Sequence, residues 1–562
     1  MNSRMPPLVF ILSGLFLYGL IPGPLQALGV DIPQTPGLMA GAAAFTITPA
    51  DEKGRPWQEP YQDLDGNGLY DAPDPSDPKA PHDTFTDTND NGKWDGPFLA
   101  GFHHHDVYYT ASGVHDPVWA RALVLQQGDT RVGLVALDVV GLFYPRVEEI
   151  RRRVEDLGLT HVMVASTHTH GGTDSMGLWG PNRLTDGKDP RFIQHILKQA
   201  EWALREASRK LVPARVKFAT AHTPTQFGWL INDLRDPIVI DDQILIMAVD
   251  DPQGNAIATV VNWTPHPETM GGSSSLITSD FPHYLREGVE KGGFRFEGKR
   301  WSGRGGLAIY FSGSVGGLLS TLRLEVRDED DKPLPLRSWA VTQRIGEMIA
   351  GKVLGAIKSQ GYPEIHRMDV RMKKLFVPIE NLLFKQLLAQ GVIHREAYTQ
   401  GKPAGSRGED ALTEVNVLTL FGQNSPLAQF VTVPGELFPE IAMGGYLGDE
   451  ESCWRYTQRK RRLDGRGKER IAAAHPQVST EPILRHHMKA PYKFIIGLGN
   501  DELGYIVPAN DFVPPVYKPR PRYGTDRCGD HDHYEETMSV GSQAAPLISK
   551  AIVELLEQVN AP

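Results

Sequence analysis

Two histidines follow a predicted buried strand, at a position where a rigid sheet can hold them for chemistry. Residues 162–166 form an apolar, partly β-branched run that ends in Thr167-His168-Thr169-His170 and two glycines. Active sites in open α/β sheets gather at the carboxyl ends of strands, because the loops there rest on a rigid scaffold. One histidine could therefore bind a metal ion while the other serves as an acid or base. Histidines at strand ends are also often hydrogen-bonded core residues, so that alternative stays open.

Three further polar residues occupy similar positions. His266 follows the apolar run 256–263 and is flanked by two prolines, which restrict the backbone of its loop. Glu436 follows a β-rich run and a Pro-Gly turn, and Tyr505 follows a glycine-rich segment. Taken singly, each residue has a structural alternative: a buried histidine in a rigid turn, a carboxylate at a helix N-terminus and a packed phenol.

The elements that would position these residues indicate an α/β fold. Residues 131–140 are predicted to form a strand, 147–157 a helix and 162–166 the next strand, which together make a βαβ unit. We therefore expect a mixed-sheet catalytic domain with βαβ units and a metal site at the carboxyl ends of its strands. No linker divides the chain, so residues 28–562 are predicted to form one domain, which ends in a helix over 544–559.

Six short motifs occur in an order that resembles the neutral/alkaline non-lysosomal ceramidases. The resemblance extends from about Gly41 to the C-terminal region. Each motif is weak singly, but six in one order are hard to obtain by chance. The motifs are Asp116 to Ala122 (DPVWARA), Ser166 to Gly171 (STHTHG), Asn262 to Met270 (NWTPHPETM), Val433 to Glu436 (VPGE), Gly497 to Tyr505 (GLGNDELGY) and His533 to Glu535 (HYE).

The resemblance implies a catalytic zinc held by four ligands, namely His168, His266, Glu436 and Tyr505. It also implies that His170 lies near the scissile bond without binding the metal, and that Tyr534 donates a hydrogen bond beside it. Arg235 matches an active-site arginine. The ligand set suits catalysis, because two imidazoles, a carboxylate and a phenol leave a Lewis-acidic Zn²⁺ with room for water. The only two cysteines, Cys453 and Cys528, lack the spacing of a structural zinc site.

The loop that carries the family's catalytic serine differs in this chain. In the equivalent stretch, Gly317 stands at the family's aspartate position and Leu319 at its serine position. Ser320 lies one residue away and Ser314 lies earlier in the loop, so either Ser320 has a shifted catalytic role or both are ordinary loop serines. A shift of one residue along a strand turns the side chain to the opposite face. Without a serine, hydrolysis would depend on water activated by the metal, with His170 as the proton acceptor.

A doubled motif between about residues 51 and 100 predicts calcium-binding loops. The pattern D-x-[DN]-x-N-G-x-x-D occurs twice, 24 residues apart. Alternating oxygen ligands followed by a glycine suit the coordination of Ca²⁺. Flanking helices are not evident, so we expect a calcium-stabilised insert rather than an EF-hand pair, and a polar surface loop is the alternative. The predicted ligands are Asp63, Asp65, Asn67 and Asp71 in the first copy and Asp87, Asn89, Asn91 and Asp95 in the second.

Composition and the N-terminus indicate an exported globular enzyme. The chain has 562 residues, of which 40% are hydrophobic, and this is ample for a large core. Its net charge of −10 argues against nucleic acid as a partner. The apolar run Leu8 to Ile21 follows Arg4, so residues 1–27 are predicted to form a signal peptide, with an uncleaved anchor as the alternative. We expect a secreted or periplasmic protein, in which the two cysteines form a disulfide or remain free thiols.

Three functions are compatible with the sequence. The first is a secreted zinc-dependent amidohydrolase that resembles neutral ceramidase and cleaves the N-acyl bond of ceramide or a related acylated lipid. The second is a zinc hydrolase of the same fold that acts on another ester or amide. It is favoured by the altered serine loop and by a basic run, residues 455–470, that could border the active site and contact a membrane surface. The third is a metal-stabilised binding protein without turnover. The family's C-terminal β-sandwich is expected to be absent, and the oligomeric state is left open.

Overall fold

Apolar, β-branched runs form the strands of the fold, and polar or glycine-rich segments connect them. In the computed structural model, the described residues are 37–49, 57, 59, 61–62, 64, 70, 73, 81–87, 92, 94, 96–104, 107–182, 184–223, 230–233, 239–319, 322, 325–444, 480–514, 524–525 and 532–560.

The strands in the described part of the chain include long strands of the three main sheets and several short strands of only two residues. In chain order they are β1 Met39–Thr46, β2 Tyr61–Gln62, β3 Thr84–Phe85, β4 Phe98–His104, β5 Val107–Thr110, β6 Gly113–Val114, β7 Trp119–Gln127, β8 Thr130–Leu137, β9 His161–Ser166, β10 Val212–Pro213, β11 Arg215–His222, β12 Asn232–Asp233, β13 Gln243–Asp250, β14 Ala256–Trp263, β15 Leu276–Ile277, β16 Gly292–Phe296, β17 Lys299–Ser302, β18 Leu307–Ser312, β19 Leu318–Leu319, β20 Arg367–Pro378, β21 Ala397–Thr399, β22 Lys402–Gly405, β23 Asp410–Phe421, β24 Pro426–Thr432, β25 Glu436–Leu437, β26 Tyr492–Ile496, β27 Tyr505–Ile506, β28 Gly524–Thr525 and β29 Asp532–His533.

Several helices begin at capping residues that satisfy their first backbone N–H groups. Asp189 accepts a hydrogen bond from the backbone of Arg191, and Asn381 caps a second helix in the same way. None of the described helices is long and apolar enough to cross a membrane. The helices are α1 Tyr144–Arg153, α2 Pro190–Arg209, α3 Phe281–Glu290, α4 Trp339–Ile357, α5 Leu382–Ala389, α6 Pro439–Met443, α7 Leu484–His487 and α8 Ala544–Asn560, with 3-10 turns at Glu155–Leu157, Gly271–Ser273 and Glu535–Met538.

Three mixed sheets make up the body of the fold. The first has the strand order β10-β1-β7-β8-β9, the second β11-β13-β14-β18, and the third β22-β21-β23-β24-β26 with β20 also paired to β23. Each sheet is mostly antiparallel but contains one parallel pair, which is β8 with β9, β14 with β18, and β24 with β26. The carboxyl ends of both strands in a parallel pair lie at the same edge, so each sheet presents one edge at which loops can gather.

A shared apolar core joins the inner faces of the three sheets. Met163 from the first sheet, Ile309 from the second and Phe430 from the third belong to one cluster of buried side chains. Phe430 stacks on Phe494 of the neighbouring strand, with ring centroids 4.2 Å apart. Helices cover the other faces, because α2 packs with the first sheet, α3 and α4 with the second, and α8 with the third. The sheet edges are therefore held at fixed positions by packing on both faces.

The predicted α/β fold and its βαβ unit are confirmed, with shifts at element ends. The strand predicted over 131–140 ends at Leu137. In the bend that follows, the carbonyl groups of residues 139 and 140 accept hydrogen bonds from the loop that carries His168. The helix predicted over 147–157 begins earlier, at Tyr144 with Pro145 in its first turn, and ends at Arg153, where Val154 leaves the helical conformation. The predicted strand over 256–263 and the C-terminal helix are also found.

Candidate metal centre

The carboxyl ends of the three parallel strand pairs meet at one place. Ser312 at the end of β18 donates a hydrogen bond from its Oγ to the carbonyl of Thr167, at 2.7 Å. The backbone N–H of Gly497, after β26, donates to the carbonyl of Ser312 at 3.0 Å, and Ser166 N–H donates to the carbonyl of Leu498 at 3.2 Å. Each sheet is thus bonded to the other two directly beside the loops that carry the predicted site residues.

His168 is held by its backbone and by one ring nitrogen. Its φ of 64° lies in the left-handed region, which is uncommon for a residue other than glycine. Its backbone N–H donates to the carbonyl of Val139 at 3.0 Å. Its Nδ1 lies 2.6 Å from the carbonyl oxygen of Val140, which can only accept, so Nδ1 carries the proton and Nε2 carries a lone pair. The ring therefore presents an unprotonated nitrogen that could hold a metal ion.

A buried ion pair supports the residue before His168. Arg286 of α3 donates from both terminal nitrogens to Asp138, each at 2.9 Å, and both side chains are about 2% exposed or less. Asp138 also accepts hydrogen bonds from the hydroxyl groups of Thr167 and Ser279. A buried ion pair that is fully hydrogen-bonded is costly to break but fixes geometry. This pair connects the first sheet, the helix of the second sheet and the His168 loop.

Three imidazoles and one carboxylate converge at the centre. His168, His170 and His266 each offer a ring nitrogen, and these atoms lie within 4.8 Å of one another. Glu436 Oε2 lies 3.0 Å from His266 Nε2 and 3.3 Å from His168 Nε2, and the Nε2 atoms of His168 and His170 are also 3.3 Å apart. Neighbouring ligand atoms of a tetrahedral zinc with bonds of about 2.0–2.1 Å are roughly 3.3 Å apart. The spacings of Glu436 from His168 and His266 therefore fit a zinc ion, and His170 lies beside these donors.

His170 is packed against the strand that enters from the predicted insert. Gly101 of β4 has a φ of 103°, and a Cβ atom built there would lie 2.4 Å from Cγ of His170. The ring of Phe102 contacts the same imidazole edge to face, with centroids 5.0 Å apart. His170 Nδ1 lies 3.4 Å from Glu268 Oε2. The imidazole is therefore enclosed by β4 on one side and by the His266 loop on another.

Glu436 and Tyr505 lie opposite each other in a short parallel ladder. They are direct register partners in the pairing of β25 with β27. Both side chains are buried, and the Tyr505 hydroxyl lies 3.1 Å from the hydroxyl of Tyr534. The structure thus brings Tyr505 and Tyr534 together beside Glu436.

Burial and charge set the protonation of these groups. Burial opposes ionisation of Glu436, but the imidazoles of His168 and His266 outweigh it and hold its pKa below the usual range. Burial, followed by the charge of Glu436, raises the pKa of Glu502 and also that of Tyr505. Burial, followed by the charges of His168 and His266, lowers the pKa of His170 well below 6.5. The centre therefore places a neutral His170 imidazole beside one ionised carboxylate, and deprotonated donors are what metal binding needs.

The serine loop shows no hydroxyl group arranged as a nucleophile in its described part. Ser314 is fully buried, and its Oγ lies 3.4 Å from Asp241 Oδ2. Arg485 binds both oxygens of the same aspartate, at 3.0 and 2.7 Å. Ser312 is also buried and bonded to the carbonyl of Thr167. These contacts agree with structural roles for both serines.

Several predicted residues lie outside the described part of the chain. They include Arg235, Ser320, the two cysteines, the basic run 455–470 and the N-terminal segment. Of the predicted calcium ligands only Asp87 is described, and its Oδ2 accepts a hydrogen bond from Gly92 N–H at 2.6 Å. The others that lie outside are Asp63, Asp65, Asn67, Asp71, Asn89, Asn91 and Asp95.

Sequence reasoning did not identify Glu268, Gly101 or the pair of Asp138 and Arg286. Glu268 stands two residues after His266, in one of the six motifs, and its position after a strand end is the signal that could have found it. Gly101 and the ion pair have no comparable local signal, because their roles depend on residues far away in the chain.

Two solved structures share the fold of this chain. The crystal structure of neutral ceramidase from Pseudomonas aeruginosa matches with a TM-score of 0.57 and 14% sequence identity, over 94% of this chain and 76% of the ceramidase chain. A structure of ceramidase complexed with C2 matches with a TM-score of 0.54 and 14% identity, over 93% of this chain and 76% of that chain. No protein-family model matches the chain. The comparison confirms the fold that the six motifs predict.

Proposed function

We propose that this chain, which has the fold of neutral ceramidase, is a zinc-dependent amidohydrolase that cleaves the N-acyl bond of ceramide or a related acylated lipid. The observation that carries the proposal is the convergence of His168, His170, His266 and Glu436 at the meeting point of three sheet edges. The likeness in fold to ceramidases over most of the chain supports the choice of an acylated substrate. The proposal includes export from the cytoplasm and an insert that binds Ca²⁺.

The proposed ligands of the zinc ion are His168, His266, Glu436 and Tyr505. Bound zinc would supply Lewis acidity, which polarises a carbonyl group and makes bound water more acidic. His168 offers Nε2 because its Nδ1–H is committed to Val140. Glu436 offers an ionised carboxylate in contact with two imidazoles. Tyr505 keeps its proton through burial unless a cation beside it lowers the pKa of the phenol.

The remaining polar groups can move or hold protons. His170 is neutral and its Nε2 lies 3.3 Å from Nε2 of His168, so it can accept a proton from the attacking nucleophile beside the proposed metal. Burial raises the pKa of Tyr534, which keeps its hydroxyl group protonated and able to donate a hydrogen bond. Such a donor can stabilise negative charge that develops on the substrate oxygen during acyl transfer.

The test is a comparison of matched acyl substrates. Purified full-length protein would be assayed with ceramide, with other N-acyl amides and with acyl esters of the same chain length. Each assay would be run as purified, after a chelator and after zinc is added back. The proposal predicts ceramide turnover that the chelator abolishes and zinc restores. Absence of turnover of every substrate by zinc-replete protein would overturn the proposal and support a binding protein.

A second candidate is a hydrolase of the same fold that acts on another ester or amide. It is favoured by the serine loop, in which Leu319 stands where the ceramidase pattern has serine and Ser314 is committed to Asp241. Zinc-dependent turnover of other acyl substrates without ceramide turnover would support this candidate.

A further inference from the structure

The two ring nitrogens of His170 face different groups. Nε2 lies 3.3 Å from Nε2 of His168, at the metal centre. Nδ1 lies 3.4 Å from Oε2 of Glu268. Among the described residues, no hydrogen-bond acceptor with ordinary geometry is found for this Nδ1, so the carboxylate at ion-pair distance is the polar group that it faces. The tautomer of His170 therefore depends on Glu268 and His168 together.

When the centre holds a cation, only one neutral tautomer of His170 makes favourable contacts with both Glu268 and His168. If Nε2 carried the proton, the Nδ1 lone pair would face a carboxylate oxygen, and the proton would point at the ligand nitrogen of His168. If Nδ1 carries the proton, that N–H lies at ion-pair distance from the Glu268 carboxylate, and the Nε2 lone pair lies on the side of the centre. A neutral imidazole with that orientation can accept a proton at Nε2.

The backbone holds Glu268 in the position that this arrangement needs. Its N–H donates to the carbonyl of His266 at 3.0 Å, and its carbonyl accepts from Gly271 N–H at 2.8 Å. The backbone N–H of His170 donates to the carbonyl of Pro267 at 3.0 Å, which binds the two loops together. The Glu268 side chain is only 3% exposed. A carboxylate so deeply buried is costly unless polar partners compensate it.

We propose that Glu268 is a positioning residue, which holds the His170 ring with Nδ1 protonated and the Nε2 lone pair directed at the metal centre. Gly101 and Phe102 pack against the ring and restrict its rotation. Carboxylates that accept a hydrogen bond from a catalytic or metal-bound histidine fix its tautomer and orientation in many enzymes. The inference rests on the proposed function for the metal ion at the centre and for the proton that His170 accepts.

The test compares Glu268→Gln with Glu268→Met in zinc-loaded full-length protein. Gln keeps an acceptor oxygen at similar length, whereas Met keeps the length and removes the acceptor. Nitrogen-15 NMR of labelled imidazoles, assigned with His170→Gln, would show which ring nitrogen of His170 carries the proton. We expect protonated Nδ1 in the wild type and Glu268→Gln, and a population with protonated Nε2 in Glu268→Met. We also expect kcat to fall about 10- to 100-fold in Glu268→Met with little change in KM, and mostly to recover in Glu268→Gln.

Two results would overturn the inference. One is a His170 proton on Nε2 in the wild type, or a tautomer that is the same in Glu268→Met. The other is loss of bound zinc from Glu268→Met, which would assign Glu268 to metal retention rather than to orientation of His170. The NMR readout needs no substrate, so a wild type with the expected tautomer and no hydrolysis would refute the proposed function and leave the positioning role standing.

Discussion

At the residue scale, the candidate metal centre depends on side chains whose protonation and orientation are set by contacts with neighbouring groups. His168 gives its Nδ1–H to Val140, which leaves Nε2 for a metal. Glu436 stays ionised because two imidazoles compensate for its burial. The hydroxyl groups of Ser312 and Ser314 donate hydrogen bonds to Thr167 and Asp241, so neither is arranged as a nucleophile. These commitments favour a reaction that uses the histidines and does not need a serine nucleophile.

Serine substitutions test that conclusion. Ser314→Ala and Ser320→Ala should each keep hydrolysis within about tenfold of the wild type, whereas His170→Ala should lose on the order of a hundredfold, the usual worth of a positioned general base. Initial rates on the best acyl substrate, at equal zinc content, provide the measurement. Collapse of activity in Ser320→Ala with zinc still bound would instead assign the nucleophile to the serine loop.

The low pKa of His170 predicts a pH-dependent stability of the metal-free protein. The unfolded chain binds a proton at His170 as the pH falls through about 6.5, but the folded protein does not until its lower pKa is reached. The free energy of unfolding should therefore decrease as the pH falls below about 6.5. Urea unfolding in chelator should show the wild type losing about 1 kcal/mol more than His170→Gln between pH 7 and pH 5.5. Equal losses in the two proteins would contradict the assignment.

At the element scale, three parallel strand pairs explain why distant segments meet. The strands β9, β18 and β26 belong to three different sheets and end at one place. There Ser166 donates a hydrogen bond to Leu498, Ser312 donates to Thr167 and Gly497 donates to Ser312. The strand β4 adds a wall, because Gly101 packs directly on His170. The strand that follows the predicted calcium insert in sequence therefore contacts the candidate metal centre.

Gly101→Ala tests this wall against a matched control. A side chain at Gly101 would be strained by the φ of 103° and would collide with His170, whereas Gly254 has a φ of 90° and open space within 4 Å of the position that a Cβ would take. Both alanine variants should lose about 1–2 kcal/mol of stability from the positive φ. Only Gly101→Ala should lose hydrolysis, by about tenfold or more. Equal activity in the two variants would show that the wall does not position His170.

The sequence is sufficient to predict the local elements and the residues at their ends. The βαβ unit and the strand 256–263 follow from apolar periodicity, and so do the positions of His168 and His266 shortly after the ends of strands. The supporting contacts could not be predicted, because they join residues far apart in sequence. Arg286 and Asp138 are 148 residues apart, and the contact of Gly101 with His170 depends on how the insert folds back.

At the scale of the whole molecule, the doubled aspartate motif predicts that calcium stabilises the protein. A ligand that binds only the folded state raises the melting temperature by mass action. Calcium should therefore raise the melting temperature of the wild type, and Asp63→Ala combined with Asp87→Ala should remove that shift while zinc stays bound. Thermal unfolding with calcium and with a calcium-selective chelator provides the comparison. A melting curve of the wild type that does not respond to calcium would identify the loops as polar surface.

The most direct test of the central claim is the zinc content of purified protein and of two ligand variants. The wild type should contain about one tightly held zinc per chain. His168→Ala and His266→Ala should each lose it, because removal of one of four ligands leaves an incomplete site. Ser314→Ala, which changes a buried side chain of the neighbouring loop, should keep the metal and serves as the control. Unchanged zinc content in both histidine variants would contradict the assignment of the metal centre.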